Sequence, residues 1–232
     1  VVCDEAGHIE KIVPRTRNDA HRLIEECMLA ANVCSADFIG QGKHVGLFRV
    51  HEGPTPEKVE LLRAYLKALG VGLAVSDEPR PEEFQRIAEA THERVDAEQI
   101  HMMLLRSMSQ AIYTPTNSGH FGLAFEAYTH FTSPIRRYPD LLVHRVIKAI
   151  LAGKKYHLPE LPTPGDAHEK LRKRLQKDRV QRGRHDKDDA RQRATPEMQD
   201  WEAAGLHCSA NERRADEASR DVEAWLKCKY MK

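Results

Sequence analysis

Apolar and polar positions follow two periods along this chain. Val1–Cys3 and His8–Val13 are short β-prone runs on either side of Asp4-Glu5-Ala6-Gly7, which reads as a hairpin with Gly7 supplying the positive φ of the turn. From Asp19 to about Ala36 the period lengthens to that of a helix. Ala20, Leu23, Ile24, Cys27, Met28 and Ala31 form its apolar stripe, Asn18 caps it, and Glu25 and Glu26 lie at or beyond the stripe's edge. A second helix is signalled at both ends, by Thr55 as cap, Pro56 at the first position and Gly70 after the last turn. It turns Val59, Leu62, Leu66 and Leu69 inward. Two more helices are expected over about Pro81–Thr91 and Asp96–Met108, the latter burying Ile100, Met103, Leu104 and Ser107. Leu123 to Phe131 then alternates, with Leu123, Phe125, Ala127, Thr129 and Phe131 on one face, which predicts a half-buried strand. Beyond Ser133-Pro134, a helix from Pro139 to about Ala152 carries Leu142, Val146, Ile147 and Ile150 inward.

Composition changes after Gly153. Pro159, Pro162 and Pro164 make a stiff connector, and residues 167–193 hold eleven Lys and Arg against five Asp and Glu with few apolar side chains. That predicts a solvated helix or a disordered arm. Ser209-Ala210-Asn211-Glu212 has the form of a capping box and opens a last helix with Ala215, Val222, Trp225 and Leu226 inward. Three stretches follow: 1–153, a charged connector at 154–205, and a returning helix at 206–232.

Charge narrows the picture further. With 36 basic against 35 acidic side chains, no global field attracts nucleic acid, so any such site is a local patch. The five cysteines are odd in number and lack CxxC spacing, which argues against a disulfide framework or a zinc ribbon and fits a reducing cytoplasm. Cys27 and Cys34, seven apart, read as buried small apolar residues. No apolar run reaches the roughly 18 residues of a membrane span. Because the chain starts at Val1 and stops at Lys232 inside a helical pattern, it is expected to be a piece of a longer protein.

The densest chemistry lies in Thr132-Ser133-Pro134-Ile135-Arg136-Arg137-Tyr138-Pro139-Asp140. Pro134 biases Ser133 to an extended shape, and Pro139 suits the first turn of a helix. Arg136 and Arg137 therefore sit between a rigid turn and a helix N-terminus, where unpaired amides favour an anion. A guanidinium adds bidentate phosphate contacts and keeps its charge. The competing expectation is that one arginine pairs with Asp140 or Glu126 and only pins the turn.

The same region closely resembles the ribonuclease II / ribonuclease R family of exoribonucleases. The resemblance runs through Asn18-Asp19-Ala20-His21, Leu23-Ile24-Glu25-Glu26-Cys27-Met28-Leu29-Ala30-Ala31-Asn32 and His51-Glu52-Gly53-Pro54-Thr55-Pro56. It continues through Gly119-His120-Phe121-Gly122-Leu123-Ala124-Phe125-Glu126-Ala127-Tyr128 and the Ser-Pro-Ile-Arg-Arg-Tyr run, and closes with Glu212–Glu217 and Trp225–Cys228. Only the basic stretch near 165–200 departs, as an insertion would. The resemblance implies an α+β fold, the later part of a ribonuclease II-type catalytic domain with a mixed or antiparallel sheet and packed helices. It implies processive hydrolytic 3′-to-5′ decay of single-stranded or structured RNA to nucleoside 5′-monophosphates, by a monomeric parent protein.

Within that resemblance, Arg136 takes the catalytic role, neutralising charge on the scissile phosphate. Arg137, Tyr138, Tyr128, Glu25 and Glu26 are the expected RNA contacts, with the choice between the two glutamates open. Magnesium is the implied cofactor, bound mainly by family aspartates that precede the hairpin and have no counterpart after Val1; no metal ligand is assigned in this chain. Asp186-Lys187-Asp188-Asp189 reads instead as a solvated charge run. The chain alone is thus expected to be inactive. Two other readings stand beside this one: a non-catalytic RNA-binding relative of the same fold, and a helical scaffold whose basic arm docks a protein. Among lesser candidates, His120 and His130 read as structural hydrogen-bonders, and His144 as a local partner of Asp140.

Overall fold

The computed structural model describes residues 2–13, 16–42, 44–160, 165–181 and 195–231. Strands β1 (Val2–Cys3) and β2 (Ile9–Lys11) pair antiparallel, with Gly7 at φ +80° in the turn as its sequence demands. Helix α1 spans Asp19–Gly40, and β3 (Phe48–Val50) follows. Three helices come next: α2 (Pro56–Ala68), α3 (Pro81–Thr91) and α4 (Ala97–Ser107). Strand β4 (Ile112–Thr114) pairs antiparallel with β3. A single 3-10 turn at Phe121–Leu123 leads towards α5 (Tyr138–Leu151), α6 (Asp166–Gln181) and α7 (Pro196–Tyr230). The architecture is α+β, with two small antiparallel sheets among the described residues.

Two cores hold it together. In the first, Ala36 and Ile39 of α1, Leu47, Val50, Tyr113, the α5 residues Leu142, Val143 and Val146, and Trp201 of α7 pack as one cluster. In the second, Val59, Leu62 and Leu66 of α2 meet Phe84 and Ile87 of α3 and Ile100 and Leu104 of α4. Phe121 is set edge-on against Phe84 at 5.3 Å between centroids, which ties the 3-10 turn to this second core. Helix α7 crosses β4 so closely that a Cβ on Gly205 would stand 2.4 Å from the Tyr113 carbonyl oxygen. Only glycine allows that approach.

Several expectations are corrected. Leu123–Phe131 forms no strand: the 3-10 turn, followed by Ala124 at φ +55°, breaks the alternation, and Tyr128 and Thr129 are buried as neighbours. The segment still lies beside β3, held by Arg49 N–H donating to the Tyr128 carbonyl at 2.8 Å and by Thr129 Oγ1 donating to the Leu47 carbonyl at 2.6 Å. Ser209 opens no helix. It lies mid-way along α7, which starts at the Thr195 cap, and its hydroxyl donates to the Gly205 carbonyl while accepting from Tyr113 N–H. The outer half of α7 exposes Ala215, Val222 and Trp225. The apolar stripe expected on α1 is exposed through Ala20, Leu23, Ile24, Cys27 and Met28; the buried face belongs to its second half, at Asn32, Ser35, Ala36 and Ile39. Cys27 and Cys34 are both exposed, whereas Cys208 is buried, which pushes its thiol pKa up to about 12.

The first half of the basic stretch is not a free arm. Helix α6 packs along α7 through His168, Leu171, Leu175 and Asp178, at the 3-4-3 spacing of one helix face. His168 accepts from Gly165 N–H at 2.7 Å, its Nε2 meets Nδ1 of His207 at 2.9 Å, and the two rings stack. The Asp186–Asp189 run lies outside the described residues.

Candidate nucleic-acid interface

The Ser-Pro turn is built around one buried carboxylate. Asp140, fully buried in the first turn of α5, accepts from Ser133 N–H and from Arg137, both at 2.8 Å. The Ser133 carbonyl in turn accepts from the amides of Arg136 (3.3 Å) and Arg137 (3.0 Å). Removing one partner of such a buried pair costs about 3–5 kcal/mol, so the turn is firmly set. Asp140 Oδ2 and Arg137 Nε have no protein partner.

This resolves the competition between the two arginines. Arg137 pins the turn, as the structural expectation had it. Arg136 stands exposed beside the N-cap of α5, and no ion pair or side-chain hydrogen bond involves it among the described residues. Ile135 is exposed with it, and Tyr138 is half-exposed on the first turn of α5. His144 does not pair with Asp140: its ring stacks on Phe131 at 4.0 Å between centroids, and Nε2 meets the Phe131 carbonyl at 2.8 Å.

Beneath the turn lies a polar network that the sequence did not announce. Asn32 of α1 accepts from Phe131 N–H at 2.9 Å and donates to the Tyr128 hydroxyl at 2.8 Å. Tyr128 is buried, stacked on Phe125 and edge-on to His120 and His130, so its ring offers no free face and supports the segment from below. The Tyr113 hydroxyl meets His130 Nδ1 at 2.8 Å and Glu212 at 3.3 Å. Glu212 also holds Arg49 at 2.7 Å, and the Arg49 guanidinium lies over the Tyr113 ring. Burial, reinforced by Arg137, Arg49, His120 and Arg136, holds the His130 pKa down to about 3. Burial first, with His51 and Arg49 nearby, holds the His120 pKa down to about 4. Burial also raises the Tyr113 phenol above its ordinary value.

Sequence signals for these residues existed but were faint. Asn32 is a polar residue on a helix's core face, and Arg49 is a lone cation between the apolar Phe48 and Val50.

Glu25 and Glu26 separate on α1. Glu25 lies seven residues before Asn32, two turns along the same face, and is partly buried with Arg17 as its ion-pair partner. Glu26 points a quarter-turn away and is exposed. Among the described residues, no group of three or more His, Cys, Asp or Glu converges as a metal cage. The residues described here therefore do not by themselves fit magnesium.

This frame and turn define an RNB fold. The family profile described as the RNB domain matches residues 1–153, and the chain belongs to the RNB-domain family. Among its relatives is ribonuclease R of Escherichia coli (strain K12), 44% identical over 223 residues, which cover 96% of this chain and 24% of that protein. The chain thus spans about a quarter of the length of the curated relatives it matches. Among solved structures, the apo form of Mycoplasma genitalium RNase R superposes with a TM-score of 0.71 at 22% identity, over 98% of this chain and 31% of that one. The same protein in complex with double-stranded RNA matches at 0.60 and 29% identity, over 65% of this chain and 27% of that one.

Proposed function

We propose that this chain is part of a hydrolytic exoribonuclease that shortens RNA processively from its 3′ end and releases nucleoside 5′-monophosphates. The observation that carries the reading is Arg136: an exposed guanidinium, without an ion pair among the described residues, set at the start of α5 beside the Arg137–Asp140 pair. A charge held at a helix start is preorganised for a phosphate, and its attraction grows as negative charge develops on the scissile group. Kinship with ribonuclease R, and a structural neighbour solved with RNA, support RNA as the substrate.

Other residues take supporting parts. Arg137 holds the turn through Asp140, Tyr138 offers a half-exposed ring for stacking, and Tyr128 positions the segment from beneath. Glu25, on the face of α1 that continues to Asn32, is the better placed glutamate to line the RNA path, with Glu26 outside it. In the whole protein, magnesium would be supplied mainly by aspartates outside this chain, so the chain alone does not hydrolyse RNA. The stretches 1–153, 154–205 and 206–232 are read as catalytic-domain segment, charged insertion and returning helix. No described helix is long and apolar enough to cross a membrane; a monomeric cytoplasmic enzyme is the setting proposed.

The test is kinetic. In the protein extended to the length of its relatives, Arg136→Ala lowers kcat on single-stranded RNA by about 100- to 1000-fold, the usual loss for one preorganised transition-state contact. An unchanged kcat removes Arg136 from the chemistry. Magnesium-dependent cleavage by the isolated chain contradicts its proposed inactivity.

A further inference from the structure

Residues 128–131 lead into the Ser-Pro turn without forming helix or strand, so single contacts hold them in place of a ladder. On one side, Arg49 N–H donates to the Tyr128 carbonyl and Thr129 Oγ1 to the Leu47 carbonyl. On another, His144 of α5 meets the Phe131 carbonyl. From α1 the hold is Asn32, which commits both ends of its amide to the segment. Phe131 N–H can only donate, so the Asn32 oxygen faces it, at 2.9 Å. The amide nitrogen then faces the Tyr128 hydroxyl, at 2.8 Å. Asn32 is 3% exposed and Tyr128 6%, and hydrogen bonds buried this deeply are costly to leave unmade.

What Asn32 joins gives it a part in the site. Helices α1 and α5 otherwise share an apolar cluster, with Ala36 and Ile39 from one and Leu142, Val143 and Val146 from the other. Apolar contact has no direction and tolerates small slides; hydrogen bonds are directional and set a register. Glu25 stands seven residues before Asn32, about 10 Å along the same face of α1. In the other direction, Ser133 comes two residues after Phe131. Its N–H donates to Asp140, and its carbonyl accepts from Arg136 N–H at 3.3 Å. A short path of directional contacts therefore runs from α1 through Asn32, Phe131 and Ser133 to Arg136.

We propose that Asn32 is a positioning residue for Arg136: by clamping Tyr128 and Phe131 to α1, it sets where the Arg136 guanidinium stands relative to the RNA path along that helix. This rests on the RNA-degrading reading above, in which Arg136 meets the scissile phosphate, and adds to it the part that fixes the arginine's place. Asn32 is buried beneath the turn and acts through its two partners, without touching substrate. Misplacing a reacting group by about 1 Å costs on the order of 100-fold in rate, so a clamp of this kind bears on the chemistry and not on folding alone.

The experiment measures single-turnover cleavage of 5′-labelled single-stranded RNA by the protein extended to its relatives' length. Asn32→Leu, close in size but without either bond, is expected to slow cleavage about 100-fold while RNA affinity stays near that of the unaltered protein. Asn32→Asp keeps one oxygen for Phe131 N–H and offers another to which the Tyr128 hydroxyl can donate, so it should recover most of the rate. In the Arg136→Ala background, Asn32→Leu should slow cleavage no further, because the group it positions is gone. Thr91→Val controls for lost stability: it removes a buried hydroxyl bond to the Ile87 carbonyl in the second core and should leave the rate unchanged. If Asn32→Leu does not fold, Tyr128→Phe removes half of the clamp and should slow cleavage less, again with no effect once Arg136 is absent. Equal slowing with and without Arg136 would overturn the positioning role, and so would a full rate in Asn32→Leu. If Arg136→Ala itself cleaves at full rate, the reading of Arg136 fails and takes the positioning role with it; slow cleavage by Arg136→Ala with equal slowing from Asn32 in both backgrounds defeats the positioning role alone.

Discussion

At the residue scale, the turn works because its two arginines are unequal. Arg137 is committed to Asp140, and that commitment fixes where Arg136 stands. The sequence showed both arginines and the helix start but could not say which would be pinned. The choice depends on the buried position of Asp140 and on its bond to Ser133, both tertiary facts. Tyr128 was misleading for a related reason: an aromatic residue in an alternating run reads equally as a stacking platform or as core, and Asn32, 96 residues away, made it core.

The half-buried histidines beside it give a pH prediction. His130 stays neutral in the fold, at about 3 against an ordinary value near 6.5. Because its folded pKa is depressed, the stability it contributes is complete above about pH 6.5 and is lost as pH falls towards 3. The slope is about 1.4 kcal/mol per pH unit before screening by solvent. Urea midpoints should fall from pH 7 to pH 5, and fall less in His130→Gln. Parallel curves for the two proteins would mean that His130 titrates normally.

At the element scale, periodicity found the helices but not their surroundings. Helices α2, α3 and α4 emerged close to their expected bounds because their stripes are buried by one another, a nearly local arrangement. The stripe of α1 was equally clear, yet only its second half meets α5, and Leu23 and Ile24 stay exposed. Pattern reports what a helix can bury, not what is there to cover it. In α7 the box-like Ser209–Glu212 run gave a false start, since Ser209 serves the helix–strand crossing instead. That crossing depends on Gly205. Gly205→Ala should destabilise the fold by about 2–3 kcal/mol, because the added methyl forces α7 from β4. Gly40→Ala, with nothing within 4 Å of its added methyl, should be neutral or stabilising by up to about 1 kcal/mol. Equal thermal midpoints for the two variants would show that the close approach is not needed.

At the scale of the whole molecule, the near-zero net charge conceals a strong separation of sign. Arg136 and Arg137 stand at the turn with Arg49 below it, while Glu52, Asp77, Glu78, Glu82 and Glu126 line the cleft beside His51 and His120. A balanced total with such local separation agrees with the RNA reading proposed above. Composition gave the total; only the fold shows the separation. Membership of the RNB-domain family was legible from motifs alone, since they are long and keep their spacing over nearly the whole chain. The docking of α6 on α7 was not, because nothing in a lysine- and arginine-rich run says which face will find a partner.

The most direct measurement uses the protein extended to its relatives' length, with 5′-labelled single-stranded RNA and magnesium, beside Arg136→Ala. The account predicts a ladder that shortens from the 3′ end, slowed at least about 100-fold in the variant. It also predicts no shortening when the 3′ end is blocked. Tight RNA binding without cleavage, or cleavage at full rate by Arg136→Ala, would contradict it.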